Sequence, residues 1–486
     1  MGAVAILDFV LSTLDAVQHE LLLFSAFWFV LGAIDELAVD GLWLGLRFTG
    51  RCREGRLSRA AAMAPLSARY CVFIAAWREA EVIGHTVAHA LKAWPQREFT
   101  LYIGCYGNDP DTVAAVVAAG GGDPRLRVVV HERHGPTTKA DCLNRLYRAM
   151  AQDEQRGGFR FKGVVIHDSE DMVHPGELAA IDIGFADATF VQLPVLPEPQ
   201  PASPWIGGHY TDEFAEAHGK TLVVRDALRA AIPAAGVGCG FGRDRLEELA
   251  AARRRAGTEG PFASECLTED YELGLLFSRA GSARFLRLRD ENGQLVATRA
   301  YFPADLEAAV RQKSRWIHGI CLQGWDRLGW NPRPVEIWMA LRDRRGPLMA
   351  VVLGVAYLWL ILNGLLYLAQ LAGWRGATGP SPTLQLMLMV CVASLVWRMA
   401  LRFAFTAREY GWAEGLRAIA RVPVANIIAI MAGRRALFAY VRTLRGGAVV
   451  WDKTEHRAHP AMPGRRAKGG TDAMRGQAVT PRGAAA

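Results

Sequence analysis

The stretch Gly163-Val-Val-Ile-His-Asp-Ser-Glu-Asp171 joins a short β-branched run directly to three carboxylates. A short apolar run that ends at polar residues predicts a buried strand. In open parallel sheets, ligands collect beyond the carboxyl ends of the strands, where the connecting loops converge. We therefore expect Asp168, Glu170 and Asp171 at a ligand-binding edge of a sheet.

The sequence around this stretch alternates between strand and helix patterns. Strands are predicted at residues 70–75, 100–104, 126–130 and 163–166, and helices at 79–93, 111–119 and 139–151. This alternation predicts βαβ units and a parallel sheet, which is an α/β fold. The glycines at 236–242 are out of register for the dinucleotide fingerprint GxGxxG, and the sequence has no phosphate-binding GxxxxGK[ST] motif.

The composition permits a large folded core, because 51% of the 486 residues are hydrophobic and 21% are charged. The net charge of +8 comes from basic residues that flank apolar segments, so it does not indicate a nucleic-acid partner. Eight cysteines occur without a CxxC pair or Cys/His zinc spacing. A disulfide framework or a structural zinc is therefore not expected.

Three apolar stretches, residues 21–46, 348–372 and 384–406, are long enough to cross a bilayer. The first contains Asp35, Glu36 and Asp40, which are costly at bilayer depth. We expect these carboxylates to face another helix, a polar cavity or the interface. Clusters of arginine follow the first stretch and precede the second, which predicts a cytosolic region between them.

Residues 416–444 are apolar but interrupted by arginines, which predicts amphipathic helices on the bilayer or, equally, a helix pair packed on the cytosolic domain. Membrane topology and composition together divide the chain into five parts. These are an N-terminal transmembrane helix with a basic linker (1–64), a cytosolic domain (65–340), two transmembrane helices (341–410), amphipathic helices (411–457) and a disordered basic tail (458–486).

Carboxylate chemistry gives the acidic stretch one functional interpretation. Asp168 and Glu170 can bind a hard cation such as Mg²⁺ or Mn²⁺, which bridges the diphosphate of a substrate. A solvated acidic loop is the alternative. A second acidic motif, Leu267-Thr-Glu-Asp270, precedes an apolar helix. Asp270 can act there as a general base, or Thr268 or Asp270 can cap the helix.

A third motif, Gln312-Lys-Ser-Arg-Trp316, lies on a predicted helix before the second membrane stretch. Arginine pairs well with a diphosphate, and tryptophan stacks on the face of a sugar. A belt of tryptophans at the membrane interface accounts for Trp316 but not for Gln312 and Arg315. The motif therefore favours binding of a diphosphate and an acceptor sugar.

The acidic cluster, the Thr-Glu-Asp motif and QxxRW occur in this order before paired membrane segments, and the set resembles the family 2 glycosyltransferases of the processive synthase type. The resemblance implies a GT-A-type, Rossmann-like domain inserted between transmembrane helices. By resemblance, Asp168 and Glu170 hold the metal and Asp270 is the base of an inverting transfer. It further assigns Asp171 to the nucleotide sugar, and Glu269, Gln312, Arg315 and Trp316 to the diphosphate and acceptor.

Longer strings resemble an inner-membrane subfamily of these enzymes that belongs to phage glycan-receptor systems. This second resemblance implies a UDP-linked N-acetylhexosamine donor and a glycan acceptor. It also implies contact with the lipid bilayer and with an outer-membrane export partner. The strings are Tyr102-Ile-Gly-Cys-Tyr-Gly-Asn-Asp-Pro-Asp111, Gly135-Pro-Thr-Thr-Lys-Ala-Asp-Cys-Leu-Asn144, His167-Asp-Ser-Glu-Asp171, Tyr210-Thr-Asp-Glu-Phe214, Ala235-Gly-Val-Gly238, Leu267-Thr-Glu-Asp-Tyr271, Val310-Arg-Gln-Lys-Ser-Arg-Trp316 and Trp451-Asp-Lys-Thr454.

Other positions carry weaker signals for the nucleotide sugar. Lys139 and Asn144 lie where the family places a helix below the nucleotide, although a solvated lysine is the commoner case. Trp77 and Glu79 follow the first strand, where core packing explains the tryptophan nearly as well. Asp109 belongs to a turn that replaces the family's DDGS-like base-binding turn. The run from Gly236 to Gly242, which includes Gly238, is expected to form a loop that approaches the acceptor, or a purely structural turn.

The leading hypothesis is a polymer-extending glycosyltransferase of the bacterial inner membrane with a cytosolic catalytic domain. An enzyme that transfers one sugar to a polyprenyl phosphate is the first alternative. A non-catalytic envelope scaffold or phage-entry factor is the second.

Overall fold

The computed structural model describes residues 3–52, 54–374, 379–446 and 458–462. A seven-stranded sheet forms the centre of its α/β domain, and two separate two-stranded sheets accompany it. The strands are β1 Gly55–Arg56, β2 Tyr70–Ala75, β3 Phe99–Tyr106, β4 Leu126–His131, β5 Gly163–His167, β6 Phe190–Gln192, β7 Val195–Pro197, β8 Cys239–Gly242, β9 Ala283–Phe285, β10 Leu288–Arg289 and β11 Thr298–Ala300.

The central sheet has the strand order β4-β3-β2-β5-β8-β6-β9. Strands β4, β3, β2 and β5 are parallel, whereas β8 runs antiparallel between β5 and β6. Ile74 near the end of β2 pairs with His167 at the end of β5, so the loops that follow these two strands leave the same edge of the sheet. The predicted α/β fold is confirmed, and the acids at 168–171 lie at that edge.

Helices cover both faces of the sheet, and the apolar segments of the sequence also form helices. They are α1 Ala3–Phe48, α2 Arg59–Met63, α3 Ile83–Ala93, α4 Pro110–Gly120, α5 Lys139–Gly157, α6 Glu177–Gly184, α7 Ile206–Glu216, α8 Leu222–Ala227, α9 Arg243–Arg255, α10 Glu269–Ala280, α11 Leu306–Trp316, α12 Gly324–Leu328, α13 Pro334–Arg344, α14 Gly346–Leu371, α15 Pro382–Tyr410, α16 Trp412–Ala420 and α17 Val422–Leu444. Helices α3, α4 and α6 contribute to one core cluster, and α5, α9 and α10 to the other.

The helix predicted from residue 79 begins four residues later, at Ile83. Arg78 has a positive φ of 53°, which ends the strand path sharply. Its backbone N–H donates to Asp109 Oδ2 at 2.6 Å, and the Glu79 N–H donates to Thr112 Oγ1 at 3.0 Å. These side-chain acceptors stabilise a turn where local propensity alone indicates a helix.

Within the described part of the chain, four helices are long and apolar enough to cross a membrane: α1, α14, α15 and α17. Helix α1 begins at Ala3, well before the predicted start of the first apolar stretch at residue 21. Helix α17 lies within the region assigned to amphipathic interfacial helices, and its length and composition also suit a membrane span. Its arrangement on or across the bilayer stays a prediction.

The carboxylates of α1 are paired with basic and aromatic side chains, as expected from the sequence. Glu36 forms ion pairs with Arg342 and Arg398, each at about 3 Å, and with Arg345. Lys220 of the α/β domain lies 2.6 Å from Asp40. Asp35 forms ion pairs with Arg342 and Arg345 and accepts a hydrogen bond from Trp338. Asp40 also accepts a hydrogen bond from Trp397. These contacts join α1 to α13, to α15 and to the α/β domain.

The Trp451-Asp-Lys-Thr454 string and all but residues 458–462 of the predicted tail lie outside the described residues.

Candidate active site

One cleft collects the three chemical motifs at the carboxyl-end edge of the sheet. It is lined by the loop after β5, the N-termini of α5 and α10, and the last turns of α11. The lining residues are Ala75, Ala76, Trp77, Glu79, Tyr106, Thr137, Thr138, Lys139, Cys142, Asp168, Ser169, Glu170, Asp171, Val195, Phe214, Ala235, Val237, Leu267, Thr268, Glu269, Asp270, Ala300, Tyr301, Phe302, Gln312, Arg315 and Trp316. Motifs separated by more than a hundred residues in sequence therefore face one space.

The acidic loop after β5 is shaped by Asp171. The Asp171 carboxylate is buried and accepts the Asp168 N–H at 2.9 Å and His167 Nδ1 at 3.0 Å. Both contacts lie within the segment 167–171 and hold the loop in shape. By contrast, 36% of the Asp168 side chain is exposed, and Ser169 Oγ donates to Glu170 Oε2 at 3.1 Å. Asp168 and Glu170 are the more accessible pair.

Lys139 is the principal cation facing these acids. It stands at the N-terminus of α5, where Thr138 and Asp141 form a capping box, and its ammonium contacts the Asp168 carboxylate. Burial alone would lower the pKa of Lys139, but the charges of Asp168, Glu269 and Asp270 outweigh burial and raise it. Lys139 is thus a fixed positive charge among three carboxylates.

Glu269 and Asp270 open helix α10 inside the cleft. Burial, followed by the neighbouring charge of Asp270, raises the pKa of Glu269 to about 7. Burial likewise raises the pKa of Asp270, against the opposing effect of Lys139. Thr268 occupies the N-cap position of α10, but its side chain accepts no hydrogen bond from the backbone N–H groups of the first turn. A carboxylate with a raised pKa is a stronger proton acceptor, which suits Asp270 to general-base chemistry.

The glycine loop before β8 backs onto Asp270. Gly236 has a φ of +80° and Gly238 one of +57°, conformations that favour glycine. A Cβ on Gly236 would collide with the Asp270 carboxylate, and one on Gly238 with Thr298 Oγ1. Residues 239–242, expected in the same loop, instead form strand β8, because they pair with β5 and β6.

Gln192 orders this loop and was not singled out from the sequence. Its amide is buried, accepts the Ala235 N–H at 2.8 Å and donates to the Val237 carbonyl at 3.0 Å. A lone glutamine at the end of a short strand carries no sequence signal for such a role.

Gln312, Arg315 and Trp316 lie on helix α11, as predicted, and all three line the cleft. Trp316 packs at ring-centroid distances of 6.3 Å from Phe214 and 6.4 Å from Phe302, which also line the cleft. Phe214 ends the Tyr210-Thr-Asp-Glu-Phe214 string, whereas no sequence pattern indicated Phe302. The cleft therefore has a charged end and an aromatic end.

The predicted nucleotide-binding residues divide into two groups. Trp77 and Glu79 line the cleft, and Trp77 packs edge-to-face on Tyr106 at 5.0 Å. Asp109 is buried and supports the Arg78 turn rather than lining the cleft. Asn144 is also outside the lining, and its amide holds both backbone groups of Phe262, at 2.8 and 3.0 Å. These contacts give Asp109 and Asn144 supporting positions behind the cleft wall.

The donor set of the cleft fits a hard divalent cation. Asp168 and Glu170 offer carboxylate oxygens, and Mg²⁺ commonly binds through one or two carboxylates together with substrate phosphates. Among the described residues, no group of three or more His, Cys, Asp or Glu side chains is arranged to hold a metal ion. The fit therefore requires oxygens from the diphosphate of a substrate.

The sequence of the cleft domain identifies its family. The family model described as Glycosyltransferase like family 2 matches residues 68–319, more than half of the chain. The chain belongs to this glycosyltransferase family. The match includes the acidic loop, the Thr-Glu-Asp motif and QxxRW, so the GT-A assignment made from the motifs is confirmed.

Two relatives of this family 2 member are similar over most of its length. The Bacteriophage adsorption protein B of Escherichia coli strain K12 and the Bacteriophage N4 adsorption protein B of Escherichia coli O157:H7 are each 31% identical over 453 residues. The alignment covers 88% of this chain and 60% of each relative. The chain thus spans about three fifths of the length of these relatives.

Solved glycosyltransferase structures are similar to the chain at lower identity. The mannosyltransferase PcManGT from Pyrobaculum calidifontis, in complex with GDP-Man and Mn²⁺, is 16% identical with a TM-score of 0.42, covering 81% of this chain and 98% of its own. Glucosyl-3-phosphoglycerate synthase from Mycobacterium tuberculosis, in complex with Mn²⁺, UDP and phosphoglyceric acid, is 18% identical with a TM-score of 0.31, covering 52% and 80%.

Proposed function

We propose that the protein is a glycosyltransferase of the bacterial inner membrane that transfers a sugar, an N-acetylhexosamine by family resemblance, from a UDP-linked donor to a growing surface glycan. The observation that carries the proposal is the shared cleft. Asp168 and Glu170, Glu269 and Asp270, and Gln312, Arg315 and Trp316 all line it. Family membership and the relatives' name as adsorption proteins support a role in making a surface glycan.

The charged end of the cleft suits the diphosphate of the donor. Lys139 contacts Asp168 there, Arg315 lines the same cleft, and Asp168 and Glu170 would hold Mg²⁺ or Mn²⁺. The bound cation would neutralise charge on the diphosphate as it leaves. Arg315 offers a planar group that forms paired hydrogen bonds with phosphate oxygens. Trp77, Glu79 and Asp171 then lie on the nucleotide side of the same space.

The transfer step follows from the position of Asp270. The Asp270 carboxylate accepts the proton of an acceptor hydroxyl, whose oxygen forms a bond to the anomeric carbon of the sugar. The bond from that carbon to the diphosphate breaks, and the electron pair leaves with the nucleoside diphosphate. Attack from the face opposite the leaving group inverts the anomeric configuration.

The aromatic end of the cleft suits the acceptor. Trp316, Phe214 and Phe302 offer apolar ring surfaces, which pack against the C–H faces of pyranose rings. The helix that carries Trp316 packs against α17, one of the helices apolar enough to enter a membrane. This arrangement supports an acceptor that extends towards the bilayer. The outer-membrane partner that would receive the product is proposed from family resemblance alone.

Release of nucleoside diphosphate by the purified full-length protein tests the proposal. A panel of nucleotide sugars is assayed with and without Mg²⁺ or Mn²⁺, and the labelled product is examined as polymer or lipid-linked monosaccharide. Asp270→Asn should reduce transfer by about 10²- to 10⁴-fold, the usual contribution of a general base.

Asp111→Asn, which alters an exposed acid on α4, serves as the matched control and should retain full activity. Full activity of Asp270→Asn with every donor would remove the assigned base. A lipid-linked monosaccharide as the sole product would favour single transfer to a polyprenyl phosphate. Phage adsorption that survives Asp270→Asn would favour a non-catalytic envelope role.

A further inference from the structure

His459 follows the last long helix in sequence, yet its side chain is fully buried against the α/β domain. Its Nε2 lies 3.2 Å from the backbone carbonyl oxygen of Asp171, in the acidic loop. Its Nδ1 lies 3.0 Å from the backbone N of Ala461. The segment 458–462 thus reaches the loop that carries the proposed cation ligands.

The hydrogen bonds assign the tautomer of His459. The Ala461 N–H can only donate, so Nδ1 is the acceptor and carries no proton. The proton of the neutral ring is therefore on Nε2, which donates to the Asp171 carbonyl. Both ring nitrogens are used, and the ring is held in one orientation.

Helix α3 holds the same loop through two other backbone carbonyls, of Ser169 and Val173. Thr86 Oγ1 donates to the Ser169 carbonyl at 2.6 Å, and His89 Nε2 donates to the Val173 carbonyl at 2.9 Å. His459 fills the position between them at the Asp171 carbonyl. The backbone carbonyls of residues 169, 171 and 173 therefore each accept a hydrogen bond from a side chain. The donor to residue 171 comes from the segment 458–462.

Ring contacts seat the segment on α3. The His459 ring lies nearly parallel to that of His85, with ring centroids 6.1 Å apart and an angle of 22° between the ring planes. His85, Thr86 and His89 belong to successive turns of α3, so one helix supplies both the stacking surface and the flanking donors. The His459 ring therefore adds the third hydrogen-bond donor to the two that α3 directs at the acidic loop.

We propose that the segment 458–462 is a positioning strap, in which His459 fixes the Asp171 carbonyl and thereby the direction of the Asp168 and Glu170 carboxylates. The proposal rests on the proposed function of these carboxylates in holding the cation and the donor diphosphate. The geometry of the donor site then depends on residues 458–462, which follow α17 in sequence.

The strap predicts separable effects on binding and on the chemical step. His459 does not line the cleft, so its loss should raise the Michaelis constant for the donor while kcat changes little. A rise of about fivefold to tenfold corresponds to one hydrogen bond in a buried loop. General loss of folded enzyme would instead lower kcat at an unchanged Michaelis constant.

Two substitutions separate the hydrogen bond from ring packing in the full-length protein. His459→Phe keeps a ring but removes the donor, whereas His459→Gln keeps an N–H that can reach the Asp171 carbonyl. His19→Ala, at a half-exposed histidine of α1, is the control. Donor kinetics are measured with hydrogen–deuterium exchange of the peptide containing residues 168–173.

His459→Phe should accelerate exchange in that peptide and raise the donor Michaelis constant, while His459→Gln and His19→Ala should resemble the wild type. Unchanged exchange in His459→Phe would overturn the strap. Equal defects in His459→Phe and His459→Gln would overturn the role of the hydrogen bond. If the wild type shows no transfer, the proposed function fails, and the exchange measurement still decides whether the strap exists.

Discussion

Gly236 and the carboxylate of Asp270 lie so close that a Cβ on the glycine would collide with Oδ2 of the aspartate. Gly236 also has a φ of +80°, a backbone conformation that favours glycine over residues with a Cβ. The glycine loop thus forms a wall that limits where the Asp270 carboxylate can lie.

Replacing Gly236 with alanine should therefore displace the Asp270 carboxylate. Displacement of a catalytic group by about 1 Å can cost about 10²-fold in rate, and we expect a fall in kcat of that order. Gly257→Ala is the matched control, because Gly257 has a similar φ of +84° and a Cβ there meets nothing within 4 Å. A similar kcat for the two variants would refute the steric role of Gly236.

Lys139→Gln should shift the pH dependence of transfer upwards. The lysine lowers the pKa values of Glu269 and Asp270, so its removal raises both. Asp270 must lose its proton to act as a base, and the acidic limb of the kcat/KM profile should move to higher pH. The profile is measured at saturating Mg²⁺, and an acidic limb that stays in place would contradict the assignment.

Glu36→Gln should destabilise the assembly of the helices. Glu36 is largely buried and pairs with Arg342, Arg345 and Arg398. Arg342 and Arg345 keep Asp35 as a partner in the variant, whereas Arg398 loses its ion pair. Removing one partner of a buried ion pair costs about 3 kcal/mol or more. Thermal unfolding in detergent should show a lower Tm, with Glu20→Gln, at a largely exposed acid of the same helix, as the control. Equal Tm values would show that the cluster contributes little.

The sequence was most informative where a pattern and a chemical motif coincide. The apolar strand before Asp168 and the amphipathic helix before Trp316 were both predicted, because burial periodicity is local. Contacts that depend on distant partners were not: Gln192 holds the glycine loop, and Phe302 joins Trp316 only after the chain has folded. Asn144 carries a family signal, but its amide supports Phe262 instead of lining the cleft.

The ion pairs of α1 have a consequence for biosynthesis. Asp35 and Glu36 are translated about 300 residues before Arg342 and Arg345, with which they pair. At ribosomal rates of about 5–20 residues per second, the acids wait tens of seconds for their partners. These ion pairs therefore form only after the whole α/β domain has been translated, so a chain truncated before Arg342 lacks the basic partners of Asp35 and Glu36.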